Sequence, residues 1–529
     1  MAADKPDPGA RGNILALLTL GRRLALPALL VAIAIAAHAY GMFRAPTYDD
    51  DEGLYMEQAW SVFTSGKLSP YTYFYDHPPL GWFTIALWAK LFGGFTAFGA
   101  SVNTGRALML VAHAGSAALL YAIVRRVGGS KAGATVAVLV FALSPFQILF
   151  GREVLLDNLA VFWLLASVYF LAGERVTTRD AALAGAALGI GLLTKEILGL
   201  MIPGMMLLLW RRVDAGQRRS AISVWLGVAL GIAMLYPLHA LAIGEFFPSG
   251  SFLDPKGGEH PNLLAGIKYH QNRTHDLGIL QPGSEFWRAA RSWWRIDPAL
   301  AAAVACSMPM AALLARRRPD SLAFGLMVAA FMVFLARGGA VFDFWLLAVV
   351  PLAAVILALA IDALRDAEWR RAGARTAPLL VAGFLAAIIA VAAVRVPTYG
   401  RSYDRAFRAN QTLAQTQAID WIERNVDPDA VIIIDNYAWV DLRPEYAKAH
   451  SFWRVDNEED IRDRLLDNDW RRIDYVALTP VMQEALDDGK LPLVAEALAH
   501  SEQAARFERD GMWVEIRRIS ASTVDVRAR

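Results

Sequence analysis

The chain has 529 residues, 56% hydrophobic and 19% charged, with a formal net charge of +2 and a mean hydropathy of +0.35. A soluble domain carries about 25% charged residues, so this deficit points to a membrane protein, and the near-neutral balance gives no basic surface for nucleic acid. The single cysteine, Cys306, excludes a disulfide framework and a cysteine-rich metal site.

A membrane span needs roughly 20 mostly apolar residues. About eleven segments qualify by that measure: 24–43, 104–124, 132–150, 154–173, 181–194, 197–210, 221–244, 298–315, 321–336, 343–363 and 377–396. The fifth and sixth are short. A further apolar helix near 80–93 is too short and too polar-flanked to count as a span. Residues 22–43 also carry signal-like features, with Arg22-Arg23 before the apolar run and Ala37-His38-Ala39 after it. The run is long enough to span, which favours an anchor.

Lys and Arg favour the cytoplasmic side of short loops. With the N-terminus inside, Arg11, Arg22 and Arg23 share a side with Arg125, Arg126 and Lys131, with Arg175 and Arg179, and with Arg211, Arg212, Arg218 and Arg219. Arg316, Arg317 and Arg318 follow the same alternation, as do Arg365, Arg370, Arg371 and Arg375. The expected architecture is an α-helical polytopic protein of the plasma (inner) membrane with a cytoplasmic N-terminus and an extracytoplasmic C-terminus. Three segments then lie outside the bilayer: 44–103, 245–297 and the tail 397–529. The spans and loops to residue 396 form one domain, and the tail reads as a small soluble α/β domain. In the tail, 404–425 is expected to be a helix ending before Asp427-Pro428, and 457–468 a charged helix. Ala430–Ile434 and Tyr475–Leu478 are strand candidates, and 505–519 a hairpin through Asp510-Gly511.

The polar residues that carry chemistry fall at the outer ends of spans, where ionisable groups are costly and tend to be functional. Directly after the first span comes Tyr48-Asp49-Asp50-Asp51-Glu52-Gly53. Four adjacent carboxylates repel one another and are held by a cation, by basic partners or by raised pKa values; a helix cap is the plain alternative. Leu54–Thr64 follows with Tyr55, Ala59, Val62 and Phe63 at helical spacing, the pattern of an amphipathic helix at the interface. Next is Asp76-His77-Pro78-Pro79-Leu80, whose prolines stiffen the turn that presents His77. Arg152 and Asp157 flank an apolar triplet at the end of the third span. A guanidinium there suits a phosphate, and an ion pair is the alternative. Lys195 sits beside Glu196 between the two short spans and can neutralise a lipid phosphate or pair with its neighbour. In the second outer loop Lys268, Tyr269 and His270 are candidate contacts for an anionic head group, and Arg337 and Asp343 flank a later outer turn. The histidines of that loop fit no standard metal spacing. No firm cofactor is expected, although four carboxylates can hold a divalent cation.

The acidic run after the first span, the His77-Pro78-Pro79-Leu80 turn and the Arg152…Asp157 pair together resemble the GT-C membrane glycosyltransferases. The likeness is to the protein O-mannosyltransferases and their bacterial relatives, including the lipid A aminoarabinose transferase. It covers about the first 200 residues in motif; the later spans match in layout, and the outward α/β tail is similar to that of bacterial members. The resemblance implies an inverting transferase that takes a hexose or pentose from a polyprenyl-phosphate donor to a lipid, glycan or protein on the outer face. It matches the catalytic acid to Asp51, with Glu52 beside it and Asp50 a possible displacement of the base. It matches His77, Arg152 and Asp157 to the polar motifs and Lys195 to a phosphate contact. Protein mannosyltransferases usually carry a Lys after the His-Pro-Pro turn; this chain has Trp82. A transporter or flippase is the alternative from another class, but such proteins place polar groups near the bilayer midplane and often show repeats. A catalytically silent partner with the same fold is a third reading.

Overall fold

A computed structural model gives the fold and describes residues 8–69, 75–254, 260–272, 277–366, 369 and 376–520, without the side chains of 8–23, 270–272 and 460. The chain is largely helical. It runs through α1 (Pro8–Ala39), α2 (Asp50–Ser65), α3 (Leu80–Leu91), α4 (Ser101–Arg126), α5 (Lys131–Leu143), α6 (Pro145–Phe150), α7 (Leu156–Leu171) and α8 (Thr178–Thr194). A 3-10 turn, Glu196–Met201, leads into α9 (Ile202–Arg212), followed by α10 (Arg218–Ala233), α11 (Leu235–Ala242), α12 (Leu263–Asn272), α13 (Glu285–Ile296), α14 (Pro298–Leu314) and α15 (Ser321–Ala336). A second 3-10 segment, Asp343–Ala348, precedes α16 (Val350–Arg365), and α17 (Thr376–Val394) closes the apolar part.

Each apolar segment expected from the sequence is helical, and the apolar 80–93 stretch is α3. The segment 132–150 breaks at Ser144-Pro145, because proline cannot donate to the preceding turn and starts α6 instead. Among the described residues, four stretches are long and apolar enough to cross a membrane: Ser101–Arg126, Ala215–Ala242, Asp343–Arg365 and Thr376–Val394. Their neighbours in the bundle are shorter apolar helices, and the chain is a multi-pass membrane protein. The core between them is continuous, from Leu30 and Ala34 of α1 through Phe141 and Leu164 to Val355 of α16.

The tail contains α18 (Val396–Phe407), α19 (Thr412–Asn425), α20 (Trp439–Leu442), α21 (Phe452–Asn457), α22 (Pro480–Asp487) and α23 (Pro492–Ala499). Its five-stranded sheet has the order β2 (Ala449–Ser451), β1 (Ile432–Ile434), β3 (Tyr475–Leu478), β5 (Met512–Ile519), β4 (Ser501–Arg509). β1 pairs parallel with β2 and β3, and β5 runs antiparallel to β3 and β4. The β4–β5 hairpin turns at Asp510-Gly511, both at positive φ, as the sequence leads one to expect. Three details differ. The expected helix 404–425 is broken between α18 and α19; the expected helix 457–468 is α21 followed by one wide turn, Asp460–Leu465; and β2 carried too short an apolar run to be read.

The tail is sewn to the first loop. Gln415 accepts the Tyr48 N–H at 2.8 Å and donates to the Tyr48 carbonyl at 2.9 Å. Asp441 accepts both the N–H and the hydroxyl of Ser101. Gly53 of α2 lies against the Asn436–Tyr437 main chain so closely that a Cβ would sit 2.2 Å from the Asn436 carbonyl carbon. Glycine is therefore required there for α2 to meet the tail. This packing corrects the expectation of an interfacial α2: Tyr55, Met56, Glu57, Gln58 and Ala59 are all buried, with the bundle on one side and the tail on the other.

Candidate active site

The four carboxylates of the acidic run have four different environments, because successive helical residues point about 100° apart. Asp49 is the N-cap of α2. Its side chain accepts the Asp51 N–H at 3.0 Å, and its own N–H donates to Glu52 at 3.0 Å, closing a capping box.

Glu52 turns into the protein and is 0% exposed. Its Oε1 accepts from Arg106 Nε at 2.9 Å and from the Val154 N–H at 2.8 Å, and its Oε2 from Arg106 Nη2 at 2.6 Å. Arg106 spends its other donors on the carbonyls of Met42, Pro46 and Thr47. This two-pronged pair ties the first loop to α4 and to the entry of α7. Glu52, expected beside Asp51 at the catalytic position, is paired with Arg106 and does not line the cavity onto which Asp51 opens.

Asp50 faces the tail. Its Oδ1 accepts from Asn436 Nδ2 at 2.7 Å and its Oδ2 from Trp453 Nε1 at 3.0 Å. Burial, and then the neighbouring Asp435, push the Asp50 carboxyl well above the ordinary carboxylate range.

Asp51 opens onto a cavity of about 720 Å³. Among the described residues none donates a hydrogen bond to its carboxylate. Burial raises its pKa; Lys195 pulls it back, and Asp76 raises it again. On the same cavity wall Lys195 Nζ lies 3.0 Å from His77 Nε2 and 3.4 Å from Asp157 Oδ2. His77 Nδ1 lies 3.2 Å from Glu196 Oε2. His77 Nε2 thus faces the Lys195 ammonium, with Asp76 Oδ2 3.4 Å from the same nitrogen, while Nδ1 faces Glu196. Asp157, Lys195, His77 and Glu196 therefore form one chain of polar contacts, set at the start of α7, the end of α8 and the His-Pro-Pro turn.

The far wall is mostly apolar, with Ile197, Leu200, Ile267, Phe342, Phe344 and Trp345. Tyr269 and Arg337 reach this cavity too. Arg337 is exposed to it, stacks 4.0 Å from the Phe334 ring centroid, and among the described residues has no carboxylate partner. A pocket of this kind, apolar with a few converging polar groups, is the usual form of a small-molecule site.

Two expected contacts lie elsewhere. Arg152 is 2% exposed and does not line the cavity. All five of its N–H donors go to main-chain carbonyls, those of Ala37, His38, Tyr40, Ala45 and Ala406. It pins the end of α1 and the end of α18 together and has no donor left for a phosphate. Lys268 is exposed away from the cavity wall, and the side chain of His270 lies outside the described residues. Among the described residues no three His, Cys, Asp or Glu side chains converge as a metal site. Sequence reasoning did not anticipate the cavity roles of Tyr55, Asn436 and Trp453. Tyr55 carried a helical-spacing signal only, and the other two are in the tail, with no local motif.

Residues 76–240 match the family model for dolichyl-phosphate-mannose-protein mannosyltransferase. That stretch contains His77, Arg152, Asp157 and Lys195, and begins after the acidic run. Among solved structures, the chain is similar to ArnT from Cupriavidus metallidurans bound to undecaprenyl phosphate, at 14% identity and a TM-score of 0.55, covering 95% of this chain and 98% of that one. It is also similar to the apo oligosaccharyltransferase of Archaeoglobus fulgidus, at 15% identity and a TM-score of 0.52, covering 95% and 75%. The archaeal AglB from the same organism, in complex with an inhibitory peptide and a dolichol-phosphate, matches at 14% and 0.51, covering 95% and 75%. The resemblance to GT-C membrane glycosyltransferases thus holds in the family match over 76–240 and in the fold across the chain.

Proposed function

We propose that the chain is an inverting glycosyltransferase that moves a sugar from a polyprenyl-phosphate donor to an acceptor hydroxyl or amine on the outer face of the membrane. The observation that carries this reading is the isolation of Asp51. Of four adjacent carboxylates it alone faces the cavity without a hydrogen-bond donor among the described residues, on the wall it shares with Lys195 and His77.

In this reading Asp51 takes the proton of the acceptor as its oxygen or nitrogen forms the bond to the anomeric carbon. The bond from that carbon to the phosphate oxygen breaks on the opposite face, and the polyprenyl phosphate leaves with the electron pair. One displacement inverts the centre. Lys195 and Arg337 stabilise the charge that grows on the leaving phosphate. Tyr269 and His77 line the path of the head group, and Asp157 and Glu196 hold Lys195 and His77 in place. Ile197, Leu200 and Phe334 offer the apolar wall along which the first prenyl units lie. ArnT was solved with undecaprenyl phosphate and AglB with a dolichol-phosphate and a peptide; the same class of lipid donor fits a cavity with two cations and an apolar wall.

Eleven spans, an inside N-terminus and an extracytoplasmic tail from residue 397 complete this reading. They bring the cavity to the outer face of the inner membrane and make the tail one of its walls. Membranes supplied with a labelled polyprenyl-phosphate sugar test it: label moves to an acceptor, and the Asp51→Asn variant does not move it. Solute flux without label transfer from any such donor favours the transporter reading instead.

A further inference from the structure

A second cavity, of about 660 Å³, lies on the other side of the Asp343–Ala348 segment, between α13, α14 and α15. Its walls are apolar, with Phe286, Ala302, Val304 and Met332 among them, and its charged lining residues are Arg291 and Arg295.

The helix at its mouth, α13, divides into two faces. Phe286, Ala289, Ser292 and Trp293 are buried, at the spacing of one helical stripe. Trp287, Arg291, Trp294 and Arg295 are exposed on the other. Tryptophan and arginine together on one exposed face are the residues that settle at a membrane–water boundary. The other arginine of this helix, Arg288, is taken up by Glu285 and Asp343. Arg291 gives one N–H to the Pro282 carbonyl, and among the described residues neither Arg291 nor Arg295 has a carboxylate partner. Arg395, at the end of α17, lies 5.7 Å from the Trp294 ring centroid and adds a third cation to the same corner. A greasy groove whose mouth carries, one turn apart, two guanidiniums without a carboxylate partner among the described residues is complementary to a molecule with an apolar chain and an anionic head.

We propose that this groove binds an anionic membrane phospholipid, separate from the sugar donor, with an acyl chain between α14 and α15 and its phosphate on Arg291 and Arg295. The groove has its own walls and its own cations, and it shares no lining residue with the cavity that holds Asp51.

The test is native mass spectrometry of the full chain in mild detergent, with phosphatidylglycerol or phosphatidylcholine added in equal amounts. Two basic groups near a lipid surface are worth roughly 30-fold in affinity, so phosphatidylglycerol is retained over phosphatidylcholine by about that factor. Arg291→Gln with Arg295→Gln removes the preference, and Ala302→Trp, which fills the groove and leaves the arginines, removes retention. Arg337→Gln, in the other cavity, leaves retention as in the wild type. Equal retention of both lipids, wild-type retention by the double arginine variant, or displacement of phosphatidylglycerol by added undecaprenyl phosphate overturns the proposal. Activity is not read, so failure here is separate from failure of the transfer reading.

Discussion

The indole Nε1 of Trp453 donates to Asp50 Oδ2 at 3.0 Å across 403 positions of sequence. Asn436 grips the other oxygen of the same carboxyl at 2.7 Å. The tail therefore holds the residue immediately before the proposed base. A typical hydrogen bond is worth about 0.5–1.5 kcal/mol, so Trp453→Phe, which keeps the ring and loses the donor, lowers kcat by roughly two- to tenfold. Steady-state kinetics on a variant with wild-type melting checks this. A kcat equal to that of the wild type removes the tail from the positioning of the site.

Asp51→Asn keeps the shape and removes the base. General-base groups contribute about 10²–10⁴-fold, and transfer falls by that range with unchanged donor binding. Its neighbour Asp50 behaves differently. Asp50→Asn keeps one acceptor oxygen for its two tail donors and gives up the other hydrogen bond, yet loses less activity than Asp51→Asn, a ranking read directly from parallel turnover measurements.

Glu52 and Arg106 are both buried and paired. Removing one partner of a buried pair costs about 3–5 kcal/mol, because the other charge is stranded. Glu52→Gln and Arg106→Met therefore lower the melting temperature and the yield of folded protein, whatever the substrate. A Glu52→Gln protein that melts like the wild type but is inactive would return Glu52 to a chemical role.

Arg152 and Arg337 separate in the same manner. Arg152→Lys loses most of five carbonyl bonds and destabilises the protein. Arg337→Ala leaves melting unchanged and raises KM for the lipid donor, since its guanidinium has no carboxylate partner among the described residues. Thermal denaturation and a donor titration on both variants distinguish the two outcomes.

The pH dependence follows from Asp51. Its pKa is raised, by burial above all, and Lys195 opposes the rise. Asp51 acts as a base only when ionised, so activity is lost as pH falls, with a midpoint above the free-carboxyl value of about 3.9. Lys195→Gln removes the main opposing cation and moves the acidic limb of the kcat/KM profile further up. A limb that stays put or moves down contradicts the coupling.

Much of the fold was legible because hydropathy is a local signal. The apolar stretches from 24–43 to 377–396 needed only length and composition, and Asp510-Gly511 announced its hairpin by turn chemistry. The His77 turn, Lys195 and Arg337 were legible as polar groups at the ends of apolar helices. What sequence could not separate was Asp51 from its neighbours. Glu52 is distinguished by Arg106, 54 residues away, and Asp50 by Asn436, 386 away. Arg152 had the right chemistry for a phosphate, yet its donors are consumed by carbonyls of α1 and α18, a satisfaction that depends on tertiary packing. β2 and the break before α19 were missed for a similar reason: short segments are set by their neighbours more than by their own residues.

The most direct test of the account uses proteoliposomes or native membranes containing the wild type, Asp51→Asn and Asp50→Asn, each supplied with the same labelled polyprenyl-phosphate sugar. The account predicts label transfer by the wild type, a loss of about 10²-fold or more in Asp51→Asn, and a smaller loss in Asp50→Asn, with all three proteins folded. Transfer by Asp51→Asn at the wild-type rate contradicts it.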